Sequence, residues 1–213
     1  MPARVRLALM VTATLVLLGA LGAVLFVRPA AEPATGPTGF VGALRPAIPP
    51  KDFVLRDQDG KRVALSDFRG QVTVLTFLYS TCQDTCPVTA TTIRGALDDL
   101  GHDVPALAVS VDPANDTPAS AQRFLAQRRL TGRMRFLLGD RPTLARVWGD
   151  YGIRPQGDGF DHTAYVLLVD RAGRQRLGFP VSELTSEGLV HDIRRLEREA
   201  TGPTRRAATG RGS

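Results

Sequence analysis

Cysteine is scarce in this sequence, which has two in 213 residues, and histidine is nearly as scarce, with three. Two cysteines are too few for the usual iron–sulfur clusters, which need about four. A structural zinc site normally takes about four protein ligands, and no fourth ligand is evident beside the cysteines. Both cysteines, Cys82 and Cys86, lie within five positions of each other. A chain that uses cysteine so sparingly and places both residues together is expected to use them together.

A basic face for nucleic acid is also absent, although the formal net charge is +6. Seven of the 27 basic residues lie outside residues 47–200, and so does one of the 21 acidic residues. The region 47–200 is therefore formally neutral, and the excess positive charge belongs to the two ends of the chain. A nucleic-acid-binding domain usually carries a clustered basic patch of its own. We expect no nucleic-acid partner.

Charge is missing altogether from residues 7–27, a run of 21 that follows Arg4 and Arg6. A secretory signal has an apolar core of about 7–15 residues, whereas a membrane-spanning helix needs about 20. The run predicts an N-terminal signal anchor, a transmembrane helix within residues 1–28, and cleavage near the alanines that follow stays open. The basic residues ahead of the span favour an extracytoplasmic position for the rest of the chain. The arginine-rich composition and the single N-terminal span predict a bacterial cell membrane.

The remaining chain divides by composition into a linker, one domain and a tail. Residues 29–46 are rich in proline and predict a semi-rigid, unfolded spacer. Residues 47–200 have the length of one ordinary domain, which can bury a core without disulfides. Residues 201–213 are rich in glycine, threonine and arginine and predict a disordered tail.

Alternating strand and helix patterns predict an α/β fold for the domain. A hairpin with its turn at Asp59-Gly60 comes first. The elements that follow are a buried strand (72–79), a helix (87–100), a strand (107–111), a helix (118–129), a strand (134–138), a helix ending near 150, two strands (163–170 and 174–179) and a helix (186–199). This order predicts a thioredoxin-like mixed sheet flanked by helices, with an extra N-terminal β-hairpin.

Pro87 governs the local geometry of the cysteines. A residue before proline avoids the helical region, so Cys86 is predicted at or near the N-cap and Pro87 among the first helical residues. Cys82 then lies in the loop ahead of the helix. The positive end of the helix would favour a thiolate at Cys86. The pair can close a disulfide, bind a soft metal ion or do both in turn, and a permanent disulfide or an inert buried pair is the structural alternative.

The spacing of the cysteines, with three residues between them, modestly favours a metal, since a redox Cys-x-x-Cys motif has two. His102 and His191 are expected at the surface, whereas His162 follows a flexible loop and precedes a core strand. In a thioredoxin-type fold that loop lies against the cysteine loop, so His162 is either a third ligand or a loop residue. Two thiolates and one imidazole form a soft donor set, for which copper is the best fit.

Other polar and aromatic positions near these motifs are assigned structural roles. Asp112 is expected to begin a turn after the strand, and Asp116 and Thr117 are expected to cap the helix that begins at Pro118. The alternative for these three residues is that they tune the cysteine site from behind its ligands. Tyr79 and Trp148 are expected to be aromatics of the core or its rim.

Four runs of sequence resemble the SCO/SenC family, whose members are membrane-anchored copper-binding factors for the assembly of cytochrome c oxidase. The runs are DQDGK at 57–61, FLYSTC through CP at 77–87, VSVDPANDTP at 109–118 and DHTAYVLLVD at 161–170. The resemblance extends over residues 51–196. It implies a thioredoxin-like fold with an added hairpin, and copper ligation by Cys82, Cys86 and His162. It also implies a partner in cytochrome c oxidase subunit II or another copper protein.

Two residues between the cysteines depart from the family pattern, since Gln83 stands where proline is usual and Thr85 where an apolar residue is usual. The loop is therefore freer and more polar than is usual, which affects its metal affinity or its redox potential. The choice between a copper metallochaperone and a thiol–disulfide reductase stays open for that reason. In a reductase the two cysteines would be a redox pair, with Cys82 as the attacking sulfur and Cys86 as the resolving one. A copper or redox sensor is a third hypothesis. The usual peroxiredoxin pattern, Pro-x-x-x-Thr-x-x-Cys, is absent.

Overall fold

Strands and helices alternate along the chain in this computed structural model. The structure describes residues 2, 10, 12–17, 33–36, 38–46, 49–154 and 165–199. The strands are β1 (Ala43–Leu44), β2 (Val54–Arg56), β3 (Arg62–Ala64), β4 (Thr73–Leu78), β5 (Ala106–Ser110), β6 (Arg135–Leu137), β7 (Tyr165–Val169) and β8 (Gln175–Pro180). The α-helices of the domain are α1 (Thr85–Leu100), α2 (Pro118–Gln127), α3 (Arg141–Tyr151) and α4 (Ser186–Arg198). The predicted order of elements is confirmed, and β1 is an additional strand.

One mixed sheet forms the centre of the domain, with its strands in the order β1-β8-β7-β4-β5-β6. β4, β5 and β6 are parallel to one another, whereas β7, β8 and β1 pair with their neighbours in antiparallel fashion. β2 and β3 form a separate antiparallel hairpin. The predicted mixed sheet with an added N-terminal hairpin is confirmed.

The residues of β4 explain why both faces of the sheet are covered. All of its residues are buried, and successive side chains of a strand point to opposite faces. Val74 and Leu78 belong to the core that includes residues of α1, α2 and α4. Leu75 and Phe77 belong to the core that includes α3 and the hairpin. A strand buried on both faces needs apolar residues at consecutive positions, which explains the nearly unbroken apolar run in the sequence.

The loop that carries both cysteines leaves the carboxyl end of β4. β5 lies parallel beside β4, with Leu78 opposite Ser110, so the loop after β5 leaves the same edge of the sheet. The N–H of Val111 donates to the carbonyl of Leu78 at 3.0 Å, which holds the two loops side by side. In open α/β sheets, binding sites form where loops leave the carboxyl ends of parallel strands.

Residues 38–46 pack on the domain and are not an unfolded spacer. β1 pairs with β8 at the edge of the sheet, and Phe40 is buried. The buried carboxylate of Asp192 accepts hydrogen bonds from the N–H groups of Val41 (3.0 Å) and Gly42 (2.8 Å). The predicted linker over residues 29–46 is therefore wrong at its C-terminal end, because a carboxylate 150 positions after Gly42 holds that segment in place.

The N-terminal part of the chain, Met1–Pro33, forms a unit separate from Ala34–Ser213. Met10 and residues 12–17 are helical, and the hydroxyl of Thr14 donates to the carbonyl of Met10. Within the described residues, no helix has both the length and the apolar composition needed to cross a membrane. The predicted transmembrane helix lies mostly outside those residues, and the predicted tail lies wholly outside them.

Candidate functional site

Cys82 and Cys86 flank the beginning of α1. Cys82 lies in the turn after β4, where its N–H donates to the carbonyl of Tyr79 at 3.3 Å. Cys86 is the second residue of α1. Both are free thiols, and their exposed fractions are 8% for Cys82 and 0% for Cys86. The two sulfurs therefore differ in access, since a partner can approach Cys82 more directly than Cys86.

The helix begins earlier than the sequence pattern predicts, at Thr85 with Asp84 as its N-cap. Cys86, predicted at or near the N-cap, lies two positions after it. Pro87 occupies the third helical position, where its missing N–H costs no hydrogen bond because first-turn N–H groups have no partner within the helix. Burial of Cys86 in the core beneath α1 outweighs the preference of a pre-proline residue for extended backbone.

The N-terminal end of α1 acts on the sulfur of Cys82. The N–H of Cys86 donates to Cys82 Sγ at 3.4 Å. Burial of the thiol acts to raise its pKa. Hydrogen bonds from the N–H groups of Cys86 and Asp84 and from the Tyr79 side chain oppose this effect, and the pKa of the thiol is lowered. A lowered pKa increases the thiolate fraction near neutral pH, and the thiolate is the species that binds metals and attacks disulfides.

Cys86 has the opposite character. Burial raises the pKa of its thiol, and the side chains of Cys82 and Asp116 raise it further. The prediction that the helix N-terminus would favour a thiolate at Cys86 is wrong. The free N–H groups at the start of a helix stabilise an anion placed ahead of them, which is where Cys82 lies, whereas the side chain of Cys86 turns into the core.

Tyr79, directly after β4, contacts both cysteines. Its side chain hydrogen-bonds the sulfur of Cys82, and its backbone hydrogen-bonds the sulfur of Cys86. The sequence assigned Tyr79 only to the core or its rim, and the signal for a larger role was its position just ahead of the cysteine pair. Trp148 is a core aromatic as predicted: it is buried, and its indole N–H donates to the carbonyl of Ser110 at 2.9 Å.

Asp116 links the cysteine loop to the loop after β5. Its carboxylate accepts hydrogen bonds from the N–H of Ser80 (2.7 Å), from the hydroxyl of Ser80 (2.6 Å) and from the hydroxyl of Ser110 (2.5 Å). Burial raises the pKa of Asp116, and these hydrogen bonds offset the effect only in part. The predicted capping role belongs to Thr117, whose hydroxyl accepts from the N–H of Ser120.

The predicted third ligand, His162, lies outside the described residues. The other two histidines are at the surface as predicted: His102 pairs with Glu197 at 2.9 Å, and His191 contacts Asp192 at 2.8 Å. In the part of the chain that the structure describes, no group of three or more His, Cys, Asp or Glu residues could hold a metal ion. The cysteine pair is therefore the part of the predicted ligand set that the described residues bring together.

The fold and the site together define a class of protein, a thioredoxin-like domain with a free dithiol at the start of its first helix. The sequence model of the SCO1/SenC family matches residues 44–198, which is most of the chain. This chain belongs to the SCO1/SenC family.

Solved structures and curated relatives are similar to the chain over different lengths. The copper-bound ScoI of Bradyrhizobium japonicum is 33% identical, with a TM-score of 0.60 over 70% of this chain and 99% of that one. The apo Sco1 of Thermus thermophilus is 27% identical, with a TM-score of 0.62 over 74% of this chain and 96% of that one. The SCO1 protein homolog of Bacillus subtilis is 35% identical over 82 residues, 37% of this chain and 42% of that protein. The chain thus matches less than half the length of that curated relative.

Proposed function

We propose that this chain is a membrane-anchored copper metallochaperone that helps to assemble the copper site of cytochrome c oxidase. The observation that carries the proposal is the pair of free, buried thiols at the start of α1, of which Cys82 has a lowered pKa. Thiolate sulfur is a preferred ligand of Cu(I), and two thiols on one short turn offer two soft donors to one ion. The copper-bound ScoI of Bradyrhizobium japonicum, which is 33% identical, supports copper as the cargo.

His162 is the third ligand in this proposal. β7 runs antiparallel to β4, with Val166 opposite Thr76, so the start of β7 lies toward the carboxyl end of β4. The cysteine loop leaves β4 at that same end. His162 precedes the first residue of β7, Tyr165, by three positions, and β7 begins at the edge of the sheet where the two thiols lie. The family resemblance likewise implies that His162 is a copper ligand.

The location and the partner are further parts of the proposal. We place the domain on the outer side of a bacterial cell membrane, tethered by the 21 uncharged residues at 7–27. Copper would pass to cytochrome c oxidase subunit II, or to another copper protein, as partner thiolates replace those of Cys82 and Cys86. The support for this partner is the family resemblance.

Substitution of His162 tests the ligand set. The full chain in detergent is reduced, and its affinity for Cu(I) is measured by competition with a coloured chelator. We expect His162→Ala to lose tight copper binding and to retain thiol exchange. His102→Ala is the matched control, because that ring pairs with Glu197 at the surface and should leave copper affinity unchanged. Undiminished affinity in His162→Ala would contradict the ligand assignment.

A thiol–disulfide reductase is the second candidate, and the opposite pKa shifts of the two cysteines favour it. The Cys82 thiolate would attack a disulfide of the partner, forming a mixed disulfide and releasing the first partner thiolate. Cys86 would then lose its proton and attack the Cys82 sulfur, which releases the second partner thiolate. The partner gains two electrons, and the chain is left with a Cys82–Cys86 disulfide that a separate thiol reductant must reduce.

Cellular complementation separates the two candidates. A reductase that needs no copper is expected to function with His162→Ala and to fail with Cys82→Ser. A metallochaperone is expected to fail with either substitution, whereas His102→Ala supports oxidase assembly in both cases. The copper or redox sensor stays a prediction, and no contact among the described residues favours it.

A further inference from the structure

A groove begins at Cys82 and follows α2 to its end. Its first part has a volume of about 400 Å³ and lies between the cysteine loop and α2. A second part, of about 550 Å³, lies between α1 and the residues that end α2. Gln127 and Arg128 line both parts, so the two parts are neighbours along one surface. The groove thus leads from Cys82, which is 8% exposed, to an open surface on the same side of the domain.

Arginine is the charged residue of this groove. Arg123 and Arg128 line the first part, and Arg94, Arg128 and Arg129 line the second. The described residues that line either part include no aspartate or glutamate. Asp98 neutralises only some of this charge, because it pairs with Arg94 and also with Arg133, which does not line the groove.

The arginines differ in what they already contact. The guanidinium of Arg128 lies over the ring of Phe124, 5.6 Å from its centroid, so Arg128 is partly engaged in packing. Arg123 is exposed and has no ion pair among the described residues. Two cations, Arg123 near the thiol and Arg129 farther along, are therefore the ones most available to a ligand.

The backbone at Arg129 is unusual. Its φ is 56°, and no other described residue apart from glycine has a positive φ. The position follows the end of α2, where glycine is the common residue because it has no Cβ to clash. The left-handed backbone at position 129 would favour glycine, yet the residue is an arginine, which places a cation at the groove. On the α1 side, Val88 lines the groove and is 59% exposed, which adds an apolar spot beside the cations.

We propose that this groove docks an acidic, cysteine-containing segment of the partner protein. The inference rests on the proposed function, in which a partner sulfur must reach Cys82. The partner's cysteine would meet Cys82 at one end of the groove, and its carboxylates would pair with Arg123 and Arg129. A peptide fits better than a lipid surface, because the groove runs to Cys82, whose sulfur can exchange with the sulfur of a cysteine but not with a lipid headgroup.

Two short peptides test the charge of the occupant. They are identical except that the glutamates of one are glutamines in the other, and each carries its single cysteine as a 2-thiopyridyl mixed disulfide. The Cys82 thiolate attacks the peptide sulfur and forms a new disulfide with it. The peptide–thiopyridyl bond breaks, and the leaving group departs with the electron pair as 2-thiopyridone, whose absorbance gives the rate.

With the reduced full chain we expect the acidic peptide to react about tenfold faster than the neutral one at low salt, because a cationic cleft concentrates an anionic ligand. Added salt should remove the difference. Arg123→Glu and Arg129→Gly should each reduce the preference for the acidic peptide. Arg62→Glu, on the hairpin, is the control, because it changes the net charge as much as Arg123→Glu and should leave the preference intact. The neutral peptide should react at the same rate with all of these variants.

Equal rates for the two peptides, or a loss of the preference in Arg62→Glu, would overturn the proposal. A lipid surface would be the occupant instead if the two peptides reacted at equal rates and short-chain phosphatidylglycerol inhibited both reactions. Arg123→Glu should then relieve that inhibition. The Cu(I) affinity of Arg123→Glu is expected to equal that of the unsubstituted chain. A groove without peptide preference in a chain that binds copper would therefore refute the docking site and leave the proposed function standing.

Discussion

The N–H of Cys86 lies 3.4 Å from the sulfur of Cys82, so α1 directs its positive end at the cysteine that precedes it. The same helix carries the side chain of Cys86 into the core, where burial raises the pKa of its thiol. One short turn thus gives two cysteines of opposite acidity. The arrangement suits either proposed activity, because the more exposed thiolate of Cys82 makes the first contact and the fully buried thiol of Cys86 completes the exchange.

Alkylation should distinguish the two thiols. The pKa of Cys82 is lowered and the thiolate is the reactive form, so iodoacetamide should modify Cys82 first, and the rate should persist to lower pH than for a free cysteine. Cys86 should stay unmodified until the domain unfolds. Mass spectrometry of the reduced chain, with Cys82→Ser and Cys86→Ser as single-thiol references, measures both rates. Faster modification of Cys86 would show that the helix acts on the other sulfur.

Asp116 should contribute to stability through the loops that it joins. Asp116→Ala leaves the half-buried N–H of Ser80 and the buried hydroxyl of Ser110 without their acceptor, whereas the Ser80 hydroxyl keeps Ser120 Oγ at 2.8 Å. We expect a loss of about 1–3 kcal/mol in the free energy of unfolding. Urea unfolding of the reduced chain measures this. Asp116→Asn keeps an acceptor oxygen and should lose less, so equal losses in the two variants would contradict the hydrogen-bonding account.

The ionisation of Asp116 should make its contribution depend on pH. Burial raises the pKa of Asp116 in the folded protein above the usual 3.8, so the folded state holds the proton more tightly than the unfolded chain. The free energy of unfolding therefore falls as pH rises from about 3.8, the usual pKa, through the raised pKa of the folded protein, and the fall is complete above the raised pKa. Asp116→Asn lacks this ionisation, so its stability relative to the unsubstituted chain should improve from acid to neutral pH. A constant difference would contradict the raised pKa.

Local pattern was enough to predict most elements of the fold. The apolar run of β4 and the glycine that ends α1 are signals carried by neighbouring residues, and they placed both elements within about two residues. The cysteine pair could be predicted as the site for the same reason, since both thiols lie on one turn. The start of α1 was less predictable, because core packing of Cys86 competes there with the local effect of Pro87.

Long-range contacts explain what the pattern did not predict. Asp116 was expected to cap the adjacent helix, but its partner Ser80 lies 36 positions earlier and no local signal links them. β1 has two residues in a proline-rich stretch, and Asp192 holds the segment before it across 150 positions. Cys86 was expected to form a thiolate more readily than a free cysteine, because the sequence shows that a helix begins near it but not which sulfur the free N–H groups face.

Removal of the Asp192 carboxylate should release the segment that leads into β1. Asp192 is fully buried and accepts from the N–H groups of Val41 and Gly42, so Asp192→Ala should leave two backbone donors unpaired and cost about 1–3 kcal/mol. Amide hydrogen exchange at residues 41–45 should be faster in Asp192→Ala than in the unsubstituted chain, whereas exchange in β4 should be affected less. His191→Ala is the matched control, because His191 contacts the same carboxylate while the two backbone hydrogen bonds remain. Unchanged protection in Asp192→Ala would place the anchor of this segment elsewhere.

Gln175, the first residue of β8, is the position where a substitution should stabilise the domain. It is 5% exposed, and neither its side-chain nitrogen nor its oxygen has a hydrogen-bond partner among the described residues. A buried amide without partners costs about 1–3 kcal/mol, so Gln175→Leu, similar in size and free of polar atoms, should be neutral or raise the free energy of unfolding by up to that amount. Gln175→Ala should be less stable than Gln175→Leu, because it removes the same polar group but leaves a cavity. Urea unfolding of the two variants measures the difference, and a Gln175→Leu chain less stable than the unsubstituted one would mean that the amide has a partner in solution.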